Sequence, residues 1–189
     1  MNSRADGLIT IKIGGGLLGT PGAFDTVCTG VGALGRVRRV VVVPGGGPFA
    51  DAVRAFDQHI GLSAGAAHWM AILGMDQYAQ ALAERIPGAT LVDDLAGILP
   101  AVDTGGVAVL APYKWMRAAD VLPHSWDVTS DSVAAFIAGA VDAIHLVLVK
   151  PSSAPQEECV DPFFRSVLPA GLPCTVVRWD HIAELATVL

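Results

Sequence analysis

Two short, β-branched apolar runs in this chain each lead into three glycines. Leu8–Ile13 is followed by Gly14, Gly15 and Gly16, and Val40–Val43 is followed, after Pro44, by Gly45, Gly46 and Gly47. Apolar runs of this length, bounded by glycine or proline, are those of buried parallel strands. In an open α/β sheet, ligands bind beyond the carboxyl ends of the strands. Glycine there lets backbone amides approach a ligand closely. Lys12, two residues before the first triplet, adds a cation. The combination reads as a phosphate site built from Lys12 and the six glycines.

The same pattern recurs along the chain, with strands expected at Thr90–Val92, Val107–Ala111, Ile144–Val149 and Thr175–Val177. Helical spacing places Phe49, Ala52, Val53 and Phe56 on one face of a helix over Phe49–His59. Ser63 is placed to cap a long helix that runs to about Arg85 and stops at Pro87-Gly88. Thr129 or Ser130 caps a helix over Asp131–Val141, and Asp180–Val188 reads as a closing helix. Strands alternating with helices predict an α/β fold, a three-layer αβα sandwich around a mostly parallel sheet. Residues 1–189 read as a single domain, with one loop-like polar stretch at Pro151–Glu158.

Composition narrows the functional classes. Apolar residues make up 52% and charged residues 16%, a globular balance. The net charge of −6, without a basic run, argues against a nucleic-acid surface but leaves room for a small phosphate. The three cysteines have no metal-ligand spacing and read as reduced, partly buried thiols of a cytoplasmic protein. The first six residues carry no apolar signal core, and no apolar stretch is long enough for a bilayer.

Several motifs compete for the site. Gly14–Gly19 fits GxGxxG, yet the second strand ends Val43-Pro44-Gly45, without the acid a dinucleotide ribose requires. The P-loop pattern is absent, and one glycine triplet alone is equally a tight turn. The second triplet opens a helix, whose amino end suits an anion. Arg54, one turn into that helix, either reaches the anion or is a solvated surface arginine. Ser125–Ser132 is the densest polar segment. Capping explains two of its residues, which leaves Asp127, Thr129, Ser130 and Asp131 as candidates for ordering lysines or reaching a metal–nucleotide complex. Lys150 ends the fifth strand on the glycine-loop edge, where a second lysine neutralises a transferring phosphoryl group. His68, Trp69 and Asp76 share the long helix, as core, interface or site residues. His124 and His145 lack metal-ligand spacing, so no protein-borne metal site is expected.

The segments Lys12–Gly15, Val43–Asp51 and Trp126–Ser132 together resemble the amino acid kinase superfamily. Ala67–Tyr78 and Pro123–Trp126 are similar to its branch that phosphorylates a phosphorylated furan amine in methanofuran-type cofactor synthesis, and Cys159–Phe164 continues the likeness. The resemblance implies an α/β kinase, a homodimer or higher oligomer, that moves the γ-phosphoryl of Mg-ATP directly to its acceptor. It implies that Lys12 binds the transferring phosphate and that the glycine loops donate amides to the transferring and acceptor phosphates. By the same resemblance Asp131 organises the catalytic lysine, Arg54 takes the acceptor's anionic end and Asp76 its ammonium. Mg²⁺ would be held through the nucleotide phosphates.

One departure stands out. Superfamily kinases follow the fifth strand with a Thr-Asp-Val-Asp-Gly-like turn and many carry a later Gly-x-Met-x-x-Lys stretch. Here Val149-Lys150 runs into Pro151-Ser152-Ser153, and the nucleotide side after 150 is shortened. Two expectations therefore stand side by side: a small-molecule kinase, and a kinase-like protein that has lost ATP and binds or senses a phosphorylated metabolite.

Overall fold

The computed structural model describes residues 7–152 and 159–188. Six strands, β1 (Leu8–Ile13), β2 (Arg39–Pro44), β3 (Ala89–Val92), β4 (Val107–Leu110), β5 (His145–Lys150) and β6 (Cys174–Arg178), form one sheet. Every pairing is parallel, in the order β3-β4-β2-β1-β5-β6. Parallel neighbours require crossovers. These are built from α1 (Ala23–Gly35), α2 (Gly47–Ile60), α3 (Ala64–Arg85), α4 (Leu95–Asp103), α5 (Tyr113–Ala119), α6 (Ser130–Ala140) and the short α7 (Phe164–Val167), while α8 (Leu185–Val188) follows β6. The expected α/β sandwich is therefore the observed one. Among the described residues, no helix is long and apolar enough to cross a membrane.

Strand alternation sorts side chains between two cores. Ile9, Ile11 and Ile13 of β1 join Val147 and Val149 of β5 in one core, beneath α1 and the second half of α3. Leu146 and Leu148 of β5 enter the other core with Val133, Ala134 and Ile137 of α6. Lys12 and Lys150 have the parity of this second face. Because β1 lies beside β5, with Lys12 opposite Leu148, pairing alone brings both lysines under the amino end of α6. The chain winds from β1 outward to β2, β4 and β3 on one side, then returns for β5 and β6 on the other. The reversal occurs beside β1, where an open α/β sheet places its ligand crevice.

Strand positions match the sequence expectations to within two residues, and Ser63 caps α3 by accepting the Ala66 amide at 3.2 Å. The closing segment differs: a 3-10 turn at Trp179–Glu184 precedes α8. Helix α1 has no counterpart in the sequence pattern because glycines interrupt its apolar face. Packing explains them. A Cβ on Gly30 would meet Ile182 at 2.5 Å, one on Gly32 would meet Pro87 at 2.7 Å, and one on Gly35 would meet Val107 at 2.3 Å. Of the polar stretch after Lys150, residues 153–158 lie outside the described residues.

The two glycine loops interlock at the sheet's carboxyl edge. The Gly45 amide donates to the Ile13 carbonyl at 2.7 Å. A Cβ on Gly15 would fall 2.2 Å from the Gly47 Cα, and one on Gly45 would fall 2.7 Å from the Gly15 amide nitrogen. Gly47 itself adopts φ +54 above the buried Tyr78 ring, a conformation that costs a side-chain-bearing residue. Gly16 is exposed, and its added Cβ would meet only Pro151, at 3.4 Å or beyond. Thermal denaturation should therefore separate these positions. Gly15→Ala is expected to cost about 3 kcal/mol through overpacking, and Gly16→Ala less than about 0.5 kcal/mol.

Candidate active site

A buried carboxylate shared by two lysines forms the centre of the site. The Lys12 Nζ lies 2.9 Å from Asp131 Oδ1, with both side chains about one-twentieth exposed. The Lys150 Nζ donates to Asp131 Oδ2 at 2.8 Å and to the Cys159 carbonyl at 2.6 Å. Two ammonium groups against one carboxylate leave a positive surplus beside Gly14, whose added Cβ would sit 3.5 Å from the Lys12 Nζ. Burial pushes the Lys12 ammonium below the usual lysine range, against the pull of Asp131. Burial also pushes the Asp131 carboxyl up, but its two lysines more than offset this and hold it below the usual carboxylate range. The difference is one of neighbours: Asp131 faces two cations, whereas Lys12 faces an anion and a second cation.

The position of Asp131 depends on Asp161, a buried carboxylate to which the motifs above assign no role. It accepts from the Thr129 amide and hydroxyl, the Ser132 amide and hydroxyl, and the Phe163 amide, at 2.5–3.2 Å. Asp161 thereby satisfies the open amides at the start of α6. It lies 29 residues from Ser132, so no local pattern marks it; only its place in the Cys159–Phe164 segment points to it.

Beside the lysines opens a pocket of about 400 Å³. Gly15, Gly16, Gly46 and Gly47 line one part, Ala67, Ala71, Ile72 and Met75 an apolar wall, and Asp51, Arg54, Asp57, His68 and Trp126 the remainder, with Thr129 and Ser130 at the start of α6. The Arg54 guanidinium stacks 4.1 Å from the Trp126 ring centre. Trp126 donates its indole N–H to Asp57 Oδ2 at 2.7 Å. His68 stacks on His124 at 4.4 Å and meets the edge of Trp69 at 4.7 Å. Burial, and then His124, depress the His68 imidazole to about 4.

Gly15, Gly16, Gly46, Gly47, Arg54, Thr129 and Ser130 thus line one cleft, while Lys12, Asp131 and Lys150 form a largely buried cluster behind the start of α6, next in sequence to these lining residues but not on the pocket wall. Asp76 lies elsewhere: its carboxylate accepts the Tyr113 amide at 2.9 Å at the start of α5, and it is not among the pocket-lining residues. Because α6 begins at Ser130, Asp127 falls in the preceding loop. It is exposed there, its amide donating to the Ser125 hydroxyl and its carbonyl accepting from Phe163. Among the described residues, no group of three or more His, Cys, Asp or Glu side chains is arranged to hold a metal ion.

Residues 7–152 match the model of the amino acid kinase family. The chain belongs to the amino acid kinase family. It is 32% identical over 111 residues to the [5-(aminomethyl)furan-3-yl]methyl phosphate kinase of Methanocaldococcus jannaschii, a match covering 59% of this chain and 51% of that one. The chain thus spans about half the length of this curated relative. Among solved structures, the UMP kinase of Bacillus anthracis shares the fold with a TM-score of 0.61 at 14% identity, over 96% of this chain and 91% of that chain. The uridylate kinase of Archaeoglobus fulgidus does so with a TM-score of 0.59 at 17% identity, over 79% and 65%.

Two expectations follow from this family member's buried charges. Asp131→Asn leaves two ammonium groups without their carboxylate. Removing one member of a buried ion pair costs about 3–5 kcal/mol, which chemical denaturation will measure. His68 titrates near 6.5 when unfolded and near 4 when folded. Between those values the unfolded chain binds the extra proton, so stability falls as pH drops through that window. Burial depresses His145 in the same direction, so the variant comparison isolates His68. Between pH 7 and 4.5, His68→Gln is expected to lose about 1–2 kcal/mol less than the unsubstituted protein.

Proposed function

We propose that this chain is an ATP-dependent small-molecule kinase that phosphorylates a phosphorylated furan amine in methanofuran- or methylofuran-type cofactor synthesis. The observation that carries the reading is the Lys12–Asp131–Lys150 cluster, next to the glycine loops and the start of α6 that line a pocket sized for a small acceptor. The name of the Methanocaldococcus jannaschii relative supports the choice of acceptor. The proposal takes residues 1–189 as a single kinase-like domain with a shortened nucleotide side after 150. Its setting is the cytoplasm; Cys28, Cys159 and Cys174 form no disulfide among the described residues. Exposed Phe56, Ile60 and Leu73 on α2 and α3 support a homodimer or higher homo-oligomer.

The chemistry suits the site. ATP supplies the phosphoryl group, with Mg²⁺ held by its own phosphates. A phosphate oxygen of the acceptor attacks the γ-phosphorus, the bond from that phosphorus to the β–γ bridging oxygen breaks, and ADP leaves with the electron pair. The nucleophile is already anionic near neutral pH, so no general base is required. Asp131, with both oxygens engaged by lysines, does not act as one. Lys12 and Lys150 spread the charge of the transferring group, and the loop amides together with the amino end of α2 hold the phosphates. A protein that only senses a phosphorylated metabolite needs phosphate donors but no second buried lysine, which favours transfer over sensing.

Phosphorus NMR of the chain with Mg-ATP and [5-(aminomethyl)furan-3-yl]methyl phosphate is expected to show a diphosphate ester and ADP. Lys12→Ala is expected to lower kcat about 10²–10³-fold while acceptor affinity changes little. Acceptor binding without any calorimetric ATP binding at millimolar concentration would sink the kinase reading and leave the sensor.

A further inference from the structure

The pocket has a second end that phosphate binding does not use. Helices α2 and α3 form an antiparallel pair in close contact where a Cβ on Gly74 would lie 3.0 Å from the Ala50 amide nitrogen. Moving from that contact towards the hairpin turn, Asp57 on α2 and His68 on α3 are each about 10 Å along, so both reach the same end. Both line the pocket, and so does Trp126.

Asp57 carries a charge that only neutral groups answer. Its Oδ1 accepts the Leu62 amide at 2.8 Å and its Oδ2 the Trp126 indole at 2.7 Å. No ion pair to Asp57 is formed among the described residues, since the neighbouring Arg54 guanidinium is stacked on the Trp126 ring. Asp51, the other carboxylate on the wall, stands one turn from Gly47, at the phosphate end. His68 is 8% exposed. Its ring nitrogens make no hydrogen bond among the described residues, although its faces and edges are packed by His124 and Trp69. The unpartnered polar side-chain atoms sealed from solvent among the described residues are those of Thr10 and Tyr78, so the His68 nitrogens keep solvent access and, on a pocket wall, stand open to a ligand group. Held neutral by its low pKa near 4, the ring retains a lone pair for an incoming N–H.

We propose that Asp57 and His68 bind the primary ammonium group of the phosphorylated acceptor, with Trp126 as the positioning residue that holds the Asp57 carboxylate. An ammonium brings three N–H donors and the positive charge that Asp57 lacks. The pocket then matches a ligand with an anion at one end, against the glycine loops, and a cation at the other. The assignment rests on the acceptor reading above and moves the amine contact to Asp57 from Asp76, which binds the Tyr113 amide outside the pocket.

Calorimetry with two ligands tests it: [5-(aminomethyl)furan-3-yl]methyl phosphate, and the analogue with a methyl group in place of the aminomethyl group. The unsubstituted chain is expected to bind the amine about 30-fold more tightly, the range of a charge-assisted hydrogen bond. Asp57→Asn should reduce that preference to about 3-fold or less while the methyl analogue binds as before. His68→Ala should reduce it by a smaller factor and remains informative if Asp57→Asn fails to fold. Trp126→Phe should lower the preference partway, since Asp57 stays charged but loses its anchor. Equal binding of the two ligands by the unsubstituted chain overturns the proposal. So does an equal loss for both ligands in Asp57→Asn and His68→Ala. Phosphoryl transfer is measured in parallel. An intact amine preference without transfer sinks the kinase reading alone, whereas failure of both ligands to bind removes the acceptor site and this assignment together.

Discussion

The Asp131 carboxylate between Lys12 and Lys150 is the interaction on which the rest of the site depends. Three charges buried at one point are tolerable only because each is paired. Their pairing ties the two central strands β1 and β5 to the first turn of α6. Lys150 then reaches the Cys159 carbonyl, and two residues later Asp161 returns to cap α6. Charge neutralisation and chain connectivity thus share the same few atoms. The cluster also keeps one positive charge in excess, which suits it to an anion.

The glycine loops solve a different problem. They must expose amides at a crowded sheet edge, and they do so by lying against each other with no room for a Cβ on Gly15 or Gly45. The backbone in this region is therefore held by contact rather than by side chains. The result is a rigid cradle beside a charged pair, both built on the sheet's central strands. The pocket, by contrast, is walled largely by α2 and α3, and α2 contains no fully buried residue.

Legibility in the sequence followed the range of the forces involved. Lys12, the triplets and Asp131 stood beside strands and helix starts whose local patterns were strong, and the structure brings them together. Helix α1 was not legible, because its glycines mark contacts with Pro87, Val107 and Ile182, far away in sequence. Asp161 and Asp57 were missed for the same reason: their partners are Ser132 and Trp126, 29 and 69 residues distant. Asp76, to which the resemblance gives the ammonium, accepts the Tyr113 amide 37 residues away, a partner that no local pattern supplies.

By itself the sequence determined the α/β alternation, the carboxyl-edge location of the site and the pairing of a strand lysine with a phosphate loop. Each of these follows from short-range periodicity and from the conformational freedom of glycine. Only the tertiary structure decided that β5 lies beside β1, which turns Lys150 from a strand-end lysine into the second partner of Asp131. It alone decided which carboxylates face the pocket, because that depends on how α2, α3 and the loop carrying Trp126 close on one another. Strand order and helix phase are properties of the packed chain, set by contacts between residues that no local pattern connects.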